Sequence, residues 1–158
     1  MTKLWMNLIF TVALILASLV NAENLTGTLS VHGAWIREAP PNAVALAGYM
    51  EIENSGSEDR SLLAAESPTF QTIELHRSVM VEGVAKMVPQ ASILIPAGDK
   101  LTLKPGDYHM MLMNPSRALK AGDRVNATLL FDNGEKLTIT LEVKKGKSGE
   151  HMQHNHHH

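Results

Sequence analysis

Two histidines and two methionines in three segments of the chain have types and spacing that indicate chemistry. Ten residues separate His76 from Met87, twenty-one more lead to His109, and one residue separates His109 from Met111. Imidazole nitrogens and soft, uncharged thioether sulfurs together suit monovalent copper, whereas thioethers hold calcium or magnesium poorly. The sequence therefore predicts a Cu(I) site, provided that the fold brings the three segments together.

The segment from Tyr108 to Met113 is the element that must position the second half of this set. Side chains alternate between the two faces of a β-strand, so His109, Met111 and Met113 are predicted to share one face. Met113 lies about 7 Å further along such a strand than Met111. We expect Met113 to be a hydrophobic cover or a secondary ligand.

The first half of the set depends on a predicted strand over residues 70–76. Alternation places Ile73 and Leu75 toward the interior, with Glu74 and His76 facing outward at the end of the strand. Residues 77–87 include Gly83 and show no helical period, which favours a loop or hairpin that returns Met87 toward His76.

Two further residues of this region bear on the site. Met80 is a weaker candidate that can substitute transiently for a ligand, and Arg77 is expected to place a cation beside the site.

Turn chemistry divides the rest of the chain into short strands. Asn133-Gly134 is the strongest hairpin signal, and Pro40-Pro41 ends the first strand. Trp35 is predicted to lie in the core and His32 on the opposite face. About eight strands without a convincing helix predict an all-β fold, an antiparallel sandwich or barrel. The remaining predicted strands cover residues 29–38, 44–54, 61–66, 88–96, 100–104, 125–131 and 137–143.

The N-terminal 22 residues have the pattern of a signal peptide. Lys3 supplies a positive charge, an apolar stretch runs from Leu8 to Val20, and small residues precede a predicted cleavage after Ala22. The apolar stretch is shorter than the roughly 20 residues that span a bilayer. We therefore expect residues 1–22 to be removed, leaving an exported domain over residues 23–143 with no membrane insertion after cleavage.

Composition excludes several classes of function. A formal net charge of -2 and an aromatic content of 4% do not favour nucleic-acid binding. The chain has no cysteine, which excludes disulfides, thiol redox chemistry and a blue-copper site, since that site needs a thiolate. Methionine and histidine are therefore the ligands on which a copper site can draw.

Residues 144–158 form a separate, polar tail that is predicted to be flexible. Its end is rich in histidine, a composition typical of metal binding, and imidazoles without a preorganised cage suit Cu(II). We interpret this tract as native sequence and as a secondary metal site; its candidate ligands are His151, Met152, His154, His156, His157 and His158.

The whole segment from Leu29 to about Val143 resembles the periplasmic copper chaperones of the PCu(A)C family. The likeness rests on the His-x10-Met-x21-His-x-Met spacing, on residues 31–37 (VHGAWIR) followed by Pro40, and on Pro105-Gly106 before His109. The optional methionine after the first histidine of the family pattern is Arg77 here.

The resemblance implies a cupredoxin-like β-sandwich or barrel with His76, Met87, His109 and Met111 as Cu(I) ligands. It also implies a periplasmic protein, not an enzyme, that carries copper toward the copper centre of cytochrome c oxidase, sometimes alongside a Sco-type protein. A copper buffer or resistance protein uses the same ligands and stays open as an alternative. A metal-independent exported interaction domain and a metalloenzyme with Glu74 as general base fit less well.

Overall fold

The computed structural model describes residues 28–146, which form ten β-strands joined by short turns. No helix in this range is long and apolar enough to cross a membrane. The strands are β1 (Leu29–Arg37), β2 (Ala45–Asn54), β3 (Arg60–Glu66), β4 (Phe70–Val81), β5 (Val84–Pro89), β6 (Ile93–Ile95), β7 (Lys100–Leu103), β8 (Tyr108–Pro115), β9 (Arg124–Phe131) and β10 (Lys136–Lys144).

The strands form one sheet in the order β5-β4-β8-β2-β1-β10-β9-β3-β6, and β7 pairs with β2 beside this path. Strands β3 and β4 stand far apart in that order but contact each other, because the sheet folds back around a shared interior. Neighbouring strands pair antiparallel except β1 and β10, which run parallel. The prediction of an all-β, cupredoxin-like fold is confirmed.

The core takes alternate residues from nine of the ten strands, as expected for a sheet with one face inside. Met110 and Leu112 of β8 are fully buried, and Leu75 of β4 lies beside them. Strand β5 contributes no residue to this core, and all six of its residues are exposed. It is an edge strand of the sheet, held through its pairing with β4.

Strand β4 of the β4–β5 hairpin is longer than the sequence predicts, since the predicted strand ends at His76. Strand β4 continues to Val81 and turns through Glu82 and Gly83, whose φ angles are 51° and 77°. Two successive positive φ angles are typical of the type I′ turn of two-residue hairpins. The hairpin prediction is therefore confirmed, and this turn returns Met87 alongside β4.

A β-bulge in β1 contradicts two predictions about that strand. The pairing with β2 shifts between His32, which opposes Glu51, and Trp35, which opposes Tyr49, so both side chains lie on one face. Gly33 has a φ of 60° within this shift, a conformation that glycine adopts readily. Period-two counting fails across the extra residue, and Trp35 is partly exposed against the ring of Tyr49 instead of lying in the core.

Candidate metal centre

The two histidines of the predicted site lie directly opposite each other on neighbouring antiparallel strands. His76 of β4 pairs with His109 of β8, and their ring centroids are 5.9 Å apart with an angle of 68° between the ring planes. Leu75 and Met110, the adjacent pair, point into the core. The imidazoles therefore share the other face of the sheet, as alternation along each strand predicts.

Each imidazole uses one ring nitrogen in a hydrogen bond to a residue two positions earlier in the chain. Nε2 of His76 lies 2.8 Å from a carboxylate oxygen of Glu74, and Nδ1 of His109 lies 2.9 Å from the carbonyl oxygen of Asp107. Both oxygens accept, so the proton is assigned to the nitrogen that faces each of them. This fixes the tautomer and the orientation of both rings.

The remaining ring nitrogens, Nδ1 of His76 and Nε2 of His109, are buried and have no hydrogen-bond partner. Leaving a buried polar atom unpaired costs roughly 1–3 kcal/mol, so two such atoms in facing rings need an explanation. In the assigned tautomers each carries a free lone pair. The arrangement is that of metal-binding histidines, which donate through one nitrogen and ligate through the other.

The separation of the rings is compatible with one ion bound by both. A metal bonded to an imidazole nitrogen at about 2 Å lies about 3 Å from the ring centre, so two such rings have centres at most roughly 6 Å apart. The observed 5.9 Å between the centroids of His76 and His109 lies within that limit.

The two thioether candidates differ in how closely they approach the histidine pair. Met111 is half-buried on β8 and opposes Glu74, which places it on the face of the imidazoles one alternate position beyond His109. Met87 of β5 opposes Ser78, also on this face, but its side chain is 59% exposed. The fold brings both imidazoles and Met111 together and leaves Met87 at the rim, on the edge hairpin.

Burial of the histidines exceeds what an outward-facing position suggests. The exposed fractions are 9% for His76 and 3% for His109, although both lie on the face away from the core residues Leu75 and Met110. Strands β5 and β2 flank the pair within the sheet. The imidazoles are withdrawn from water, whereas the side chain of Met87 on the edge strand is exposed.

Arg77 does not place its charge beside the site, contrary to expectation. It follows His76 and therefore lies on the opposite face of β4, paired with Tyr108. Its guanidinium lies 4.7 Å from the ring centroid of Tyr108 and 3.3 Å from a carboxylate oxygen of Asp107. These contacts hold the cation away from the imidazoles.

Tyr49 of β2 lies next to the site without adding charge to it. Gly48 is paired with Met110, so Tyr49 lies one position further along, beside His109. Burial raises the pKa of the Tyr49 hydroxyl above its usual value, against the opposing effect of Arg37. The phenol remains neutral at physiological pH, and Glu74 is the carboxylate that approaches the imidazoles.

Glu74 makes a contact in the candidate site that the sequence does not reveal. The sequence suggests it only as a general base, whereas in the structure its carboxylate bonds to Nε2 of His76 and orients the ring of this candidate ligand. The shared separation of two residues, Glu74 to His76 and Asp107 to His109, is the signal that would have found both partners. The tail candidates, His151 to His158, and the predicted signal peptide lie outside the described residues.

Sequence comparisons match most of the described segment to a protein family and to a relative. A family model described as "Putative lipoprotein LpqE-like" matches residues 29–143. A protein of Leifsonia xyli subsp. xyli, "Putative lipoprotein Lxx21020", is 32% identical over 117 residues, which cover 73% of this chain and 69% of that protein.

Solved structures with the same architecture include copper-bound proteins. The solution structure of CuI-DR1885 from Deinococcus radiodurans is 35% identical, with a TM-score of 0.55 and coverage of 72% of this chain and 76% of that chain. The copper-bound PCuAC domain from PmoF2 has a TM-score of 0.65 and covers 76% of this chain and 95% of that domain. Because this domain is 22% identical to the chain, the comparison supports a shared fold alone.

Proposed function

Since this chain belongs to the PCu(A)C family, whose domains bind copper, we propose that it holds one Cu(I) ion as cargo between His76 and His109. Met111 and Met87 complete a set of two nitrogens and two sulfurs. The observation that carries the proposal is the pair of buried, unpartnered nitrogens in facing, hydrogen-bonded rings. Binding of a cation there would satisfy both at once.

The ligand chemistry favours Cu(I) over divalent ions. Neutral imidazoles and thioethers leave the ion's single charge uncompensated, and divalent competitors prefer harder or charged ligands. Two thioethers also bind a soft ion without the thiolate that this chain lacks. We therefore expect a mixed nitrogen and sulfur shell around one ion.

The exposure of Met87 favours a carrier over a store. A ligand that is 59% exposed can be displaced by a ligand of another protein, while the buried imidazoles still hold the ion. We propose that the recipient belongs to the copper-delivery route of cytochrome c oxidase, either the oxidase copper subunit or a Sco-type protein. This finer assignment rests on the resemblance to the PCu(A)C family.

The site is tested by anaerobic titration with Cu(I) and X-ray absorption spectroscopy. The parent should bind Cu(I) with both nitrogen and sulfur neighbours, and the His76→Ala/His109→Ala variant should lose the nitrogen contribution of the domain. His32→Ala is the matched control, since His32 is exposed on β1 and bonded to Ser30. A parent-like shell in the double variant would contradict the proposal.

Delivery and storage are separated by a transfer experiment. The Cu(I)-loaded chain is mixed with the apo copper domain of cytochrome c oxidase or with a Sco-type protein, and copper is measured after the two are separated. A carrier should transfer Cu(I) to one of them faster than to a small chelator of equal affinity. Equal rates for protein and chelator would favour the buffer or resistance function.

The terminal segments add two proposals. Removal of residues 1–22 during export would place the mature domain in the periplasm, which mass spectrometry of a periplasmic fraction tests through an N-terminus at Glu23. The histidine-rich tail would bind a second copper as Cu(II). Deleting residues 146–158 should lower Cu(II) uptake and leave Cu(I) binding by the β-domain unchanged, whereas unchanged Cu(II) uptake would refute the tail site.

A further inference from the structure

The β4–β5 hairpin exposes two methionines that packing does not explain. Met80 is 69% exposed and Met87 is 59% exposed, although a thioether side chain is usually buried. Neither belongs to the core, and the hairpin ends in a tight turn at Glu82-Gly83. These two side chains therefore have a soft sulfur available to solvent at the rim of the candidate metal centre.

Register places both sulfurs on the face of the imidazoles. Met80 opposes Ala85 and Met87 opposes Ser78, so Met80 and Met87 are diagonal neighbours on the face that carries His76. Diagonal positions have Cα atoms about 7–8 Å apart, which long side chains can bridge. Met87 is also diagonal to His76, whose partner on β5 is Pro89.

The other large exposed apolar residues of the hairpin follow the opposite pattern. Val81 and Val84 oppose each other and Val88 opposes Arg77, so all three valines lie on the face away from His76. General hydrophobicity would not separate the residue types in this way. Of the large exposed apolar side chains of the hairpin, those on the metal-site face are the two thioethers.

Charge also distinguishes the two faces of the hairpin. Arg77 and Lys86 lie on the valine face, since they pair with Val88 and Val79. Glu74 lies on the metal-site face and reaches His76 through its carboxylate. A cation on the methionine face therefore meets no positive side chain of this hairpin and is attracted toward the carboxylate beside His76.

We propose that Met80 and Met87 form an outer Cu(I) site through which the ion enters and leaves the histidine pair. This inference rests on the proposed function, because the inner site is its destination. Exposed fractions fall from 69% at Met80 and 59% at Met87 to 9% at His76 and 3% at His109. Two thioethers receive the soft ion from solvent or from a partner's ligands.

Met87 belongs to both sites and acts as the pivot between them. As the ion moves inward, the bond to the Met80 sulfur breaks and a bond to Nδ1 of His76 forms, while the Met87 sulfur stays bound. The ion remains Cu(I), and no electron or proton is transferred. The same exchange in reverse releases copper.

The outer site is tested on the full chain with 13C-methyl-labelled methionine, titrated anaerobically with Cu(I) supplied as its acetonitrile complex. In the His76→Ala/His109→Ala background, the methyl signals of Met80 and Met87 should shift together as the ion binds. Adding Met80→Leu should weaken the copper-dependent shift of Met87 at least tenfold. A Met80 signal that stays unmoved by Cu(I) would overturn the proposal.

Two second-site variants test whether the added methionine must lie on the metal-site face of the hairpin. In the Met80→Leu/Ala85→Met variant a methionine returns to the metal-site face directly opposite position 80, and it should restore the shift of Met87. In the Met80→Leu/Val88→Met variant the new methionine lies on the valine face and should not. Equal rescue by both would refute the outer site.

The rate of Cu(I) capture tests the outer site in a chain that keeps both histidines. With both histidines present, Met80→Leu should slow the capture of Cu(I) by the histidine pair, measured by stopped flow, at least threefold. Unchanged capture would overturn the outer site while an intact inner affinity preserves the proposed function. Absence of a copper-dependent change at Met111 in the parent would instead refute the proposed function.

Discussion

Removal of the Glu74 carboxylate should weaken Cu(I) binding without removing any ligand. The carboxylate lies 2.8 Å from Nε2 of His76 and leaves Nδ1 of that ring free. In the Glu74→Ala variant the ring loses the contact that fixes its tautomer and rotation. Cu(I) binding then includes the free-energy cost of selecting the one orientation of the His76 ring in which Nδ1 faces the ion.

The magnitude follows from the exposure of the two partners. Loss of an outer partner of a metal-binding histidine typically costs 10–100-fold in affinity, which is about 1.4–2.7 kcal/mol. The side chain of Glu74 is 53% exposed, and solvent therefore screens its charge. We expect about a tenfold loss for Glu74→Ala, the lower end of that range.

Competition with a chromogenic Cu(I) chelator under argon measures this change. Glu74→Gln should lose only about threefold, because its amide oxygen still accepts from Nε2 but carries no charge. Glu142→Ala is the control, since Glu142 is a half-exposed glutamate on β10 paired with Lys144. Denaturant midpoints of all variants separate loss of affinity from loss of fold. Parent-like affinity in Glu74→Ala would refute the orienting role.

Three further predictions concern stability. Leu112→Ala should lower the unfolding free energy by about 2–5 kcal/mol, because Leu112 is fully buried in the core. Leu94→Ala, at a 55% exposed position, should change the unfolding free energy by less than about 0.5 kcal/mol in the same urea titration. Equal losses of unfolding free energy in Leu112→Ala and Leu94→Ala would contradict the assigned core. Gly33→Ala should cost roughly 1–2 kcal/mol through its positive φ alone, since no atom lies within 4 Å of the added Cβ; an unchanged urea midpoint would argue against the bulge. Hydrogen bonds from the Lys120 amide and the Arg117 guanidinium lower the pKa of the Asp123 carboxyl below its usual value. Asp123 therefore stabilises the fold above about pH 4 and loses this effect as pH falls through its folded pKa. The loss of stability caused by Asp123→Asn should accordingly be present in urea titrations at pH 7 and shrink toward pH 3. A pH-independent difference between the variant and the parent would contradict the role of the carboxylate charge.

The local sequence pattern was sufficient to predict most strands and to predict which side chains of β8 face the core. Met110 and Leu112 are buried in the core while Met111 is half-buried on the other face, as alternation predicts. Turn residues located most strand ends within one or two positions, but the prediction of a single strand over residues 88–96 is wrong, because β5 ends at Pro89 and β6 covers only Ile93–Ile95. Alternation failed at Gly33, because a bulge adds one residue and reverses the face of everything counted across it.

The sequence by itself indicated the kind of ion that the proposed ligands favour, since ligand softness is a property of residue types and does not depend on their positions. It also determined the all-β class through alternation and turn chemistry. The tertiary structure alone decided that His76 opposes His109, because the register between strands distant in the chain is set by the pairing and core packing of the whole sheet. It also decided which nitrogen of each ring is free and that Arg77 lies on the other face, since both depend on contacts between neighbouring side chains.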